Sequence, residues 1–372
     1  MKILYAIQGT GNGHLSRARA VIPILQRKGS LDILISGTQA DVELPYPVKY
    51  KFDGLSFVFG KKGGIELFQT YKKSNLRRLF REINLVPIEQ YDIVLNDFEP
   101  VSAWACYLKN KQCIALSHQA AVLNKKAPRP KHADAIGKSL LKNYAPTTSQ
   151  YGFHFNAYDK NIFTPVIRNE IRVLEPKNKG HYCVYLPAFH DDIIAQTLSK
   201  IEDVRWEVFS KHNKKPRQIK NVFLQPITNE GFIKSLRNSE GVLCGAGFET
   251  PAEALFLQKK LMVIPMKHQF EQHCNAAALN AMGIPVLKNL KSKQIAKIEA
   301  WIDKGSIPSV VYPDVTECIV NMILEKHVPD GNGIMLGKRF YSESKFSKFA
   351  LKKILANGSL HQKNGYSSQT TA

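Results

Sequence analysis

Two histidines, four carboxylates and two glycine-rich turns are the parts of this sequence whose types and spacing can do chemistry: His14 and His118, with Asp97, Glu249, Glu253 and Glu271. The first turn runs Gly9-Thr10-Gly11-Asn12-Gly13-His14, between an apolar run and a helical stretch. Glycines there allow positive φ and a close approach of ligand to backbone. The start of a helix adds unpaired N–H groups and a positive dipole end. A nicotinamide dinucleotide would need G-x-G-x-x-G and an acid after the second strand, where Ser36-Gly37-Thr38 stands. A phosphate P-loop would need G-K-[ST], which the turn lacks. In the third reading Gly11 and Gly13 let a substrate approach and present His14; a lone loop histidine is more often structural, but one at the ligand-binding edge of an α/β sheet is also a candidate general base, since its ordinary pKa lies near neutrality.

Asp97 and His118 each follow a strand-like run, so a parallel sheet would carry both to the carboxyl edge where His14 lies. Asp97 either orients the imidazole, as carboxylates do for other bases, or caps the helix after it. His118 and Gln119 are candidate acceptor contacts, with a purely structural role as the alternative.

The second turn lies in Gly241–Glu253. A buried strand ends at Cys244, and Gly245 and Gly247 form the turn. Thr250 is expected at the N-cap of the next helix, Pro251 at its first position and Glu253 at its third, so the helix start can take a pyrophosphate. T-x-x-E is also a plain capping box, which leaves Glu253 between two roles. After the Ile264-Pro265 strand end, Glu271 and Gln272 open another helix at the same edge. Carboxylate and amide acceptors suit a sugar, whose hydroxyls each need a partner once desolvated.

Elements to hold these residues are expected twice over. Strands over 2–7, 31–36, 48–52, 91–95 and 113–116 alternate with helices over 16–28 and 101–108. The pattern restarts with strands over 182–186, 205–209, 222–224, 241–244 and 261–264 and helices between them. Near-continuous apolar strands alternating with helices predict an α/β protein with two Rossmann-like parallel-sheet domains facing a central crevice. The expected division is an acceptor-binding domain over 1–165, a linker over 166–180 and a nucleotide-sugar-binding domain over 181–325. A basic helical segment over 326–355 and a disordered polar tail over 356–372 follow.

The chain's 372 residues exceed one ordinary core, and its 44% hydrophobic content suits a folded protein. No apolar run of about 18 residues and no signal peptide is read, so the expected place is the cytoplasm, at the inner face of a membrane. The six cysteines form no C-x-x-C pair or zinc spacing and are read as reduced thiols. A net charge of +21 favours anionic partners. Nine Lys/Arg interleave with phenylalanines over Lys49–Arg81, and six fall within Lys125–Lys142, a pattern suited to an anionic membrane or a lipid-linked acceptor. Nucleic acid is the competing partner, but no RRM, KH or zinc-finger signature is present.

Taken together, Gly11-x-Gly13-His14, the turn with Thr250 and Glu253, Ile264-Pro265, Glu271-Gln272 and Asn275-Ala276 resemble GT-B glycosyltransferases of the UDP-glycosyltransferase branch. That branch includes the transferase that adds N-acetylglucosamine to the lipid-linked peptidoglycan precursor, and the UDP-glucuronosyltransferase-like bacterial proteins. The resemblance implies that His14 activates the acceptor, and that Gly245, Gly247 and Thr250 hold the donor phosphates. It further implies that Glu253 binds the nucleotide ribose, that Glu271 and Gln272 bind the donor sugar, and that Gln225-Pro226-Ile227 flanks the base. Phe248-Glu249 replaces smaller residues, which makes Glu249 a second candidate for the donor. Retaining members of the fold carry two glutamates eight positions apart. Here Leu257 and Leu261 stand eight after Glu249 and Glu253, so inversion is expected. No D-x-D triplet occurs, and neither metal nor cofactor is expected beyond the nucleotide-sugar substrate. A nucleotide-sugar hydrolase or 2-epimerase on the same fold is the alternative enzyme.

Overall fold

The computed structural model describes residues 1–37, 44–55, 59–60, 64–65, 76–131, 134–328 and 340–341. The tail expected over 356–372 lies outside them, as do nearly all of the segment expected over 326–355 and most of the basic stretch between 56 and 75.

The first sheet holds β1 (Lys2–Gln8), β2 (Ser30–Ser36), β3 (Tyr50–Phe52), β6 (Ile93–Asp97), β7 (Ile114–Ser117), β8 (Ser149–Phe153) and β9 (Ile162–Phe163). A separate antiparallel hairpin pairs β4 (Phe59–Gly60) with β5 (Gly64–Ile65). The second sheet holds β10 (His181–Tyr185), β11 (Arg205–Ser210), β12 (Arg217–Ile219), β13 (Val222–Pro226), β14 (Gly241–Gly245) and β15 (Lys260–Ile264). Their orders are β3-β2-β1-β6-β7-β8-β9 and β12-β13-β11-β10-β14-β15, and only β12 runs antiparallel. β1 shows the physical reason: Ile3 to Ile7 are buried on both faces, so that run is continuously apolar instead of alternating.

Strand order reverses direction at β1/β6 in the first sheet and at β10/β14 in the second. Such switch points open a crevice at the carboxyl ends of the strands. β1 pairs Ile7 with Asp97 of β6, which delivers Asp97 beside the Gly9–His14 turn. β14 delivers Gly245.

The helix after β1 begins at Asn12, four residues before the expected start, because Gly11 at φ 93° makes the turn into it. The chain leaves the first sheet at Phe163, forms a short helix at Asn169–Arg172 and enters the second sheet at His181. Helix Thr316–His327 then packs back on helix Asn12–Gln26, so Ile319, Val320 and Ile323 share one apolar cluster with Val21, Ile22 and Leu25. Five of the six thiols are buried and Cys318 is exposed. Among the described residues no helix is long and apolar enough to cross a membrane.

Candidate active site

His14 and Asp97 meet. His14 Nδ1 lies 2.8 Å from Asp97 Oδ1, and Asp97 is fully buried. Burial alone would push the Asp97 carboxyl up, but Arg17 and His14 together hold it below its ordinary value. An ionised carboxylate only accepts, so Nδ1–H donates, and in the neutral imidazole this leaves the lone pair on Nε2. Gln119 Nε2 stands 3.5 Å from that Nε2.

Helix capping is settled one position further on. Glu99, not Asp97, caps helix Pro100–Leu108, accepting from the amides of Val101 (2.6 Å) and Ser102 (2.7 Å). Phe98 makes the division possible. It sits at φ 58°, a conformation costly for a bulky residue, and stacks on Tyr144 at 4.7 Å between ring centroids. The chain thereby turns Asp97 to one side and Glu99 to the other.

Arg17, one helical turn after His14, grips Asp97 with two bonds, Nε to Oδ2 (3.0 Å) and Nη2 to Oδ1 (2.7 Å). Its third arm reaches the other half of the protein, where Nη1 donates to Glu249 Oε1 at 2.6 Å. Burial would lower the Arg17 pKa, but Asp97 and Glu249 raise it overall.

The second-half helix differs from the expectation. It spans Glu249–Phe256, two residues early, with Phe248 at the N-cap position and no side-chain cap. Thr250 is therefore inside the first turn, and the capping box does not form. Two competing contacts explain this. Phe248 buries its ring flat on His118, 3.9 Å between centroids, and the Glu253 carboxylate is taken by Arg168 through bonds of 2.6 and 2.9 Å. Burial pushes the Glu253 carboxyl up in spite of Arg168.

His118 stands behind the site, not against it. It is 1% exposed, and its ring nitrogens face the Phe153 carbonyl oxygen (2.8 Å) and Asn275 Oδ1 (2.7 Å). Its neighbour Gln119 donates to Glu271 Oε2 at 2.9 Å, joining the two halves.

Two cavities flank Gly11-Asn12-Gly13. One, about 300 Å³, is lined by His14, Phe98, Gln119, Gly247, Glu271 and Gln272 among others. The other, about 400 Å³, is lined by Arg168, Tyr185, Ile227, Glu249, Thr250 and Glu253 among others. Gly245 ends β14 beside Gln272, whose Oε1 accepts from the Met266 amide at 2.9 Å. Gly11 and Phe248 carry no side-chain acceptor for the helices they precede, so both helix starts open on this junction, an arrangement suited to an anion. Reading the sequence did not single out Arg17, Arg168, Phe98 or Tyr185. Arg17 alone had a local signal, three residues after His14 on one helix face.

Residues 1–304 match the sequence profile of glycosyl transferase family 1. No curated protein matches the chain significantly. Among solved structures, MurG of Acinetobacter baumannii superimposes with a TM-score of 0.53 at 14% identity, over 87% of this chain and 99% of that one. Phytolacca americana UGT2, complexed with UDP-2fluoro-glucose and pterostilbene, gives 0.53 at 12% identity over 96% and 98%. Arabidopsis thaliana UGT89C1, complexed with UDP-L-rhamnose, gives 0.53 at 12% over 95% and 98%. The shared architecture is GT-B, two Rossmann-like domains about a crevice.

Proposed function

The chain belongs to glycosyl transferase family 1 and is a glycosyltransferase; from that premise we propose that it moves a sugar from a uridine diphosphate sugar to an acceptor hydroxyl with inversion, His14 taking the proton. The observation that carries this reading is the His14–Asp97 contact of 2.8 Å, with Nε2 left to the cavity that Gln119, Glu271 and Gln272 also line. As the hydroxyl oxygen bonds to the anomeric carbon, its proton passes to Nε2 and the carbon–oxygen bond to the diphosphate breaks. The leaving charge is met by the uncapped helix start at Glu249–Thr250 and by Arg168, with no metal called on. Gly245 and Gly247 leave room for the phosphates, Glu253 takes the ribose hydroxyls and Glu271 with Gln272 takes the sugar. UDP is favoured because two of the fold relatives are complexed with UDP-sugars.

The acceptor in this reading is anionic and in part apolar. Helix Ala135–Tyr144 exposes Ile136 (68%) and Leu140 (37%) beside Lys138 and Lys142, and Leu140 with Leu141 also lines the His14 cavity. An apolar wall with a basic rim suits a lipid-linked acceptor at an anionic membrane.

A thermal-shift screen of UDP-, GDP- and dTDP-sugars tests the donor. The expected result is stabilisation by UDP-sugars that weakens by more than about tenfold in affinity in Glu253→Gln. Stabilisation by none of the three removes the reading, and donor turnover without any acceptor points to a hydrolase instead.

A further inference from the structure

Glu249 begins the donor-turn helix, yet its carboxylate is bound to Arg17, which belongs to the His14–Asp97 cluster. We infer that Glu249 is a positioning residue that raises the proton affinity of His14 by sharing Arg17 with Asp97, so that the base is strong only while the two halves are seated together. This rests on the reading of His14 as the base.

The inference follows from counting charge around the imidazole. Asp97 Oδ1 accepts from His14 Nδ1 at 2.8 Å and from Arg17 Nη2 at 2.7 Å, and Arg17 Nη2 lies only 3.2 Å from the same Nδ1. Arg17 and Asp97 alone sum to zero beside His14, with the positive member at 3.2 Å nearly as close as the negative one at 2.8 Å. Glu249 changes the sum to minus one. Arg17 and Asp97 are 2% and 0% exposed, so little water screens that pair, while Glu249 is 27% exposed. The other groups facing it are Tyr5 of β1, Gln119 of helix His118–Leu123, and Glu271, which reaches His14 only through the Gln119 amide. Glu249 is thus the single second-half charge bonded directly to the cluster among the described residues.

Gly13 fits the same picture. A Cβ placed there would collide with the Glu249 carboxylate, so the first-half turn and that carboxylate are in contact. Separating the halves would remove Glu249 from Arg17 and return the full guanidinium charge to Asp97. A base weakened in the open form would spare a bound donor from water.

The test is an NMR titration of the His14 imidazole in the full chain without donor, the resonance being identified by its loss in His14→Gln. Glu249→Gln keeps an oxygen for Arg17 and removes the charge. Its His14 midpoint is expected to fall by about one pH unit, under the roughly 1.5 units for one charge removed at about 8 Å in an effective dielectric of about 20, because Glu249 is 27% exposed and partly screened. Glu249→Asp, the conservative variant, is expected to stay within about 0.3 unit of the parent. Titration of UDP by calorimetry runs alongside, and its Kd is expected to change less than about threefold in Glu249→Gln. A midpoint that moves less than about 0.2 unit overturns the inference, and a tenfold loss of UDP affinity with an unmoved midpoint returns Glu249 to the donor. Failure of the parent protein to bind UDP counts against the donor reading instead, and leaves the imidazole comparison to decide this one.

Discussion

Replacing Asp97 by Asn probes the centre of the site because it keeps the shape and removes the charge. The amide has one oxygen to offer where the carboxylate had two. Placed at the Oδ1 position, that oxygen still accepts from His14 and from Arg17 Nη2, but the amide nitrogen then faces the Arg17 Nε–H, formerly 3.0 Å from Oδ2. Placed at Oδ2, it satisfies Nε but sets an N–H against His14 Nδ1, and the imidazole must carry its proton on Nε2, where it cannot act as base. The charge loss adds to this. Unit charges about 4 Å apart at an effective dielectric of about 20 attract by roughly 4 kcal/mol. Arg17 already draws on Asp97, so roughly 2–3 kcal/mol is left for the imidazolium that forms as the proton arrives, or about 100-fold in kcat. The tautomer penalty contributes a further factor of about ten, giving a fall of about 1,000-fold with KM for the donor little changed. Steady-state UDP release with the donor identified by thermal shift measures both. Arg17 keeps Glu249, so the melting temperature should drop by only a few degrees, about 2 kcal/mol. Three outcomes would refute the reasoning: a kcat loss under about tenfold, a loss confined to KM, or a further loss when Asp97→Asn is added to His14→Ala.

Gly13→Ala should separate stability from activity. The new methyl displaces the flexible end of Glu249 while replacing a helical glycine, so the melting temperature should hold or rise slightly, whereas kcat falls about tenfold or more. Unaltered turnover would remove the Gly13–Glu249 contact from the mechanism. Acid sensitivity should trace to His154. Burial, with His118 adding to it, holds its pKa well below the ordinary 6.5. The unfolded chain therefore binds a proton below pH 6.5 that the folded one refuses, and stability falls with decreasing pH by about 1.4 kcal/mol per unit from this group. Denaturant unfolding of His154→Gln at pH 7 and pH 5.5 should show a smaller difference between the two pH values than the parent does; an equal difference rules His154 out.

Much of the architecture was legible because it depends on local pattern. Buried runs such as Ile93–Leu95 and Val242–Cys244 are continuously apolar, and the carboxyl-edge rule then brings Asp97 to His14 without any knowledge of the fold's details. The two-residue difference between Asp97 and Glu99 was not legible, since it depends on Phe98 accepting a positive φ, with its ring packed between Tyr144 and His14. The same holds at Phe248. A capping box is the better local choice, and burial against His118 overrides it. Short strands such as Ile162–Phe163 carry too few residues for a period to show. Arg168 comes from the crossing segment between the sheets, and nothing in sequence order predicts that it would reach Glu253.

Helix Asn12–Gln26, which bears His14 and Arg17, has its far flank covered by helix Thr316–His327, about 300 residues later in the chain. During synthesis at about 5–20 residues per second, that flank waits roughly 15–60 s for its cover. The nascent first half therefore carries Val21, Ile22 and Leu25 without their final partners while the second half is still being made. A ribosome stalled before residue 316 would leave the helix that bears His14 with its apolar flank uncovered, the kind of exposed surface on which neighbouring nascent chains aggregate.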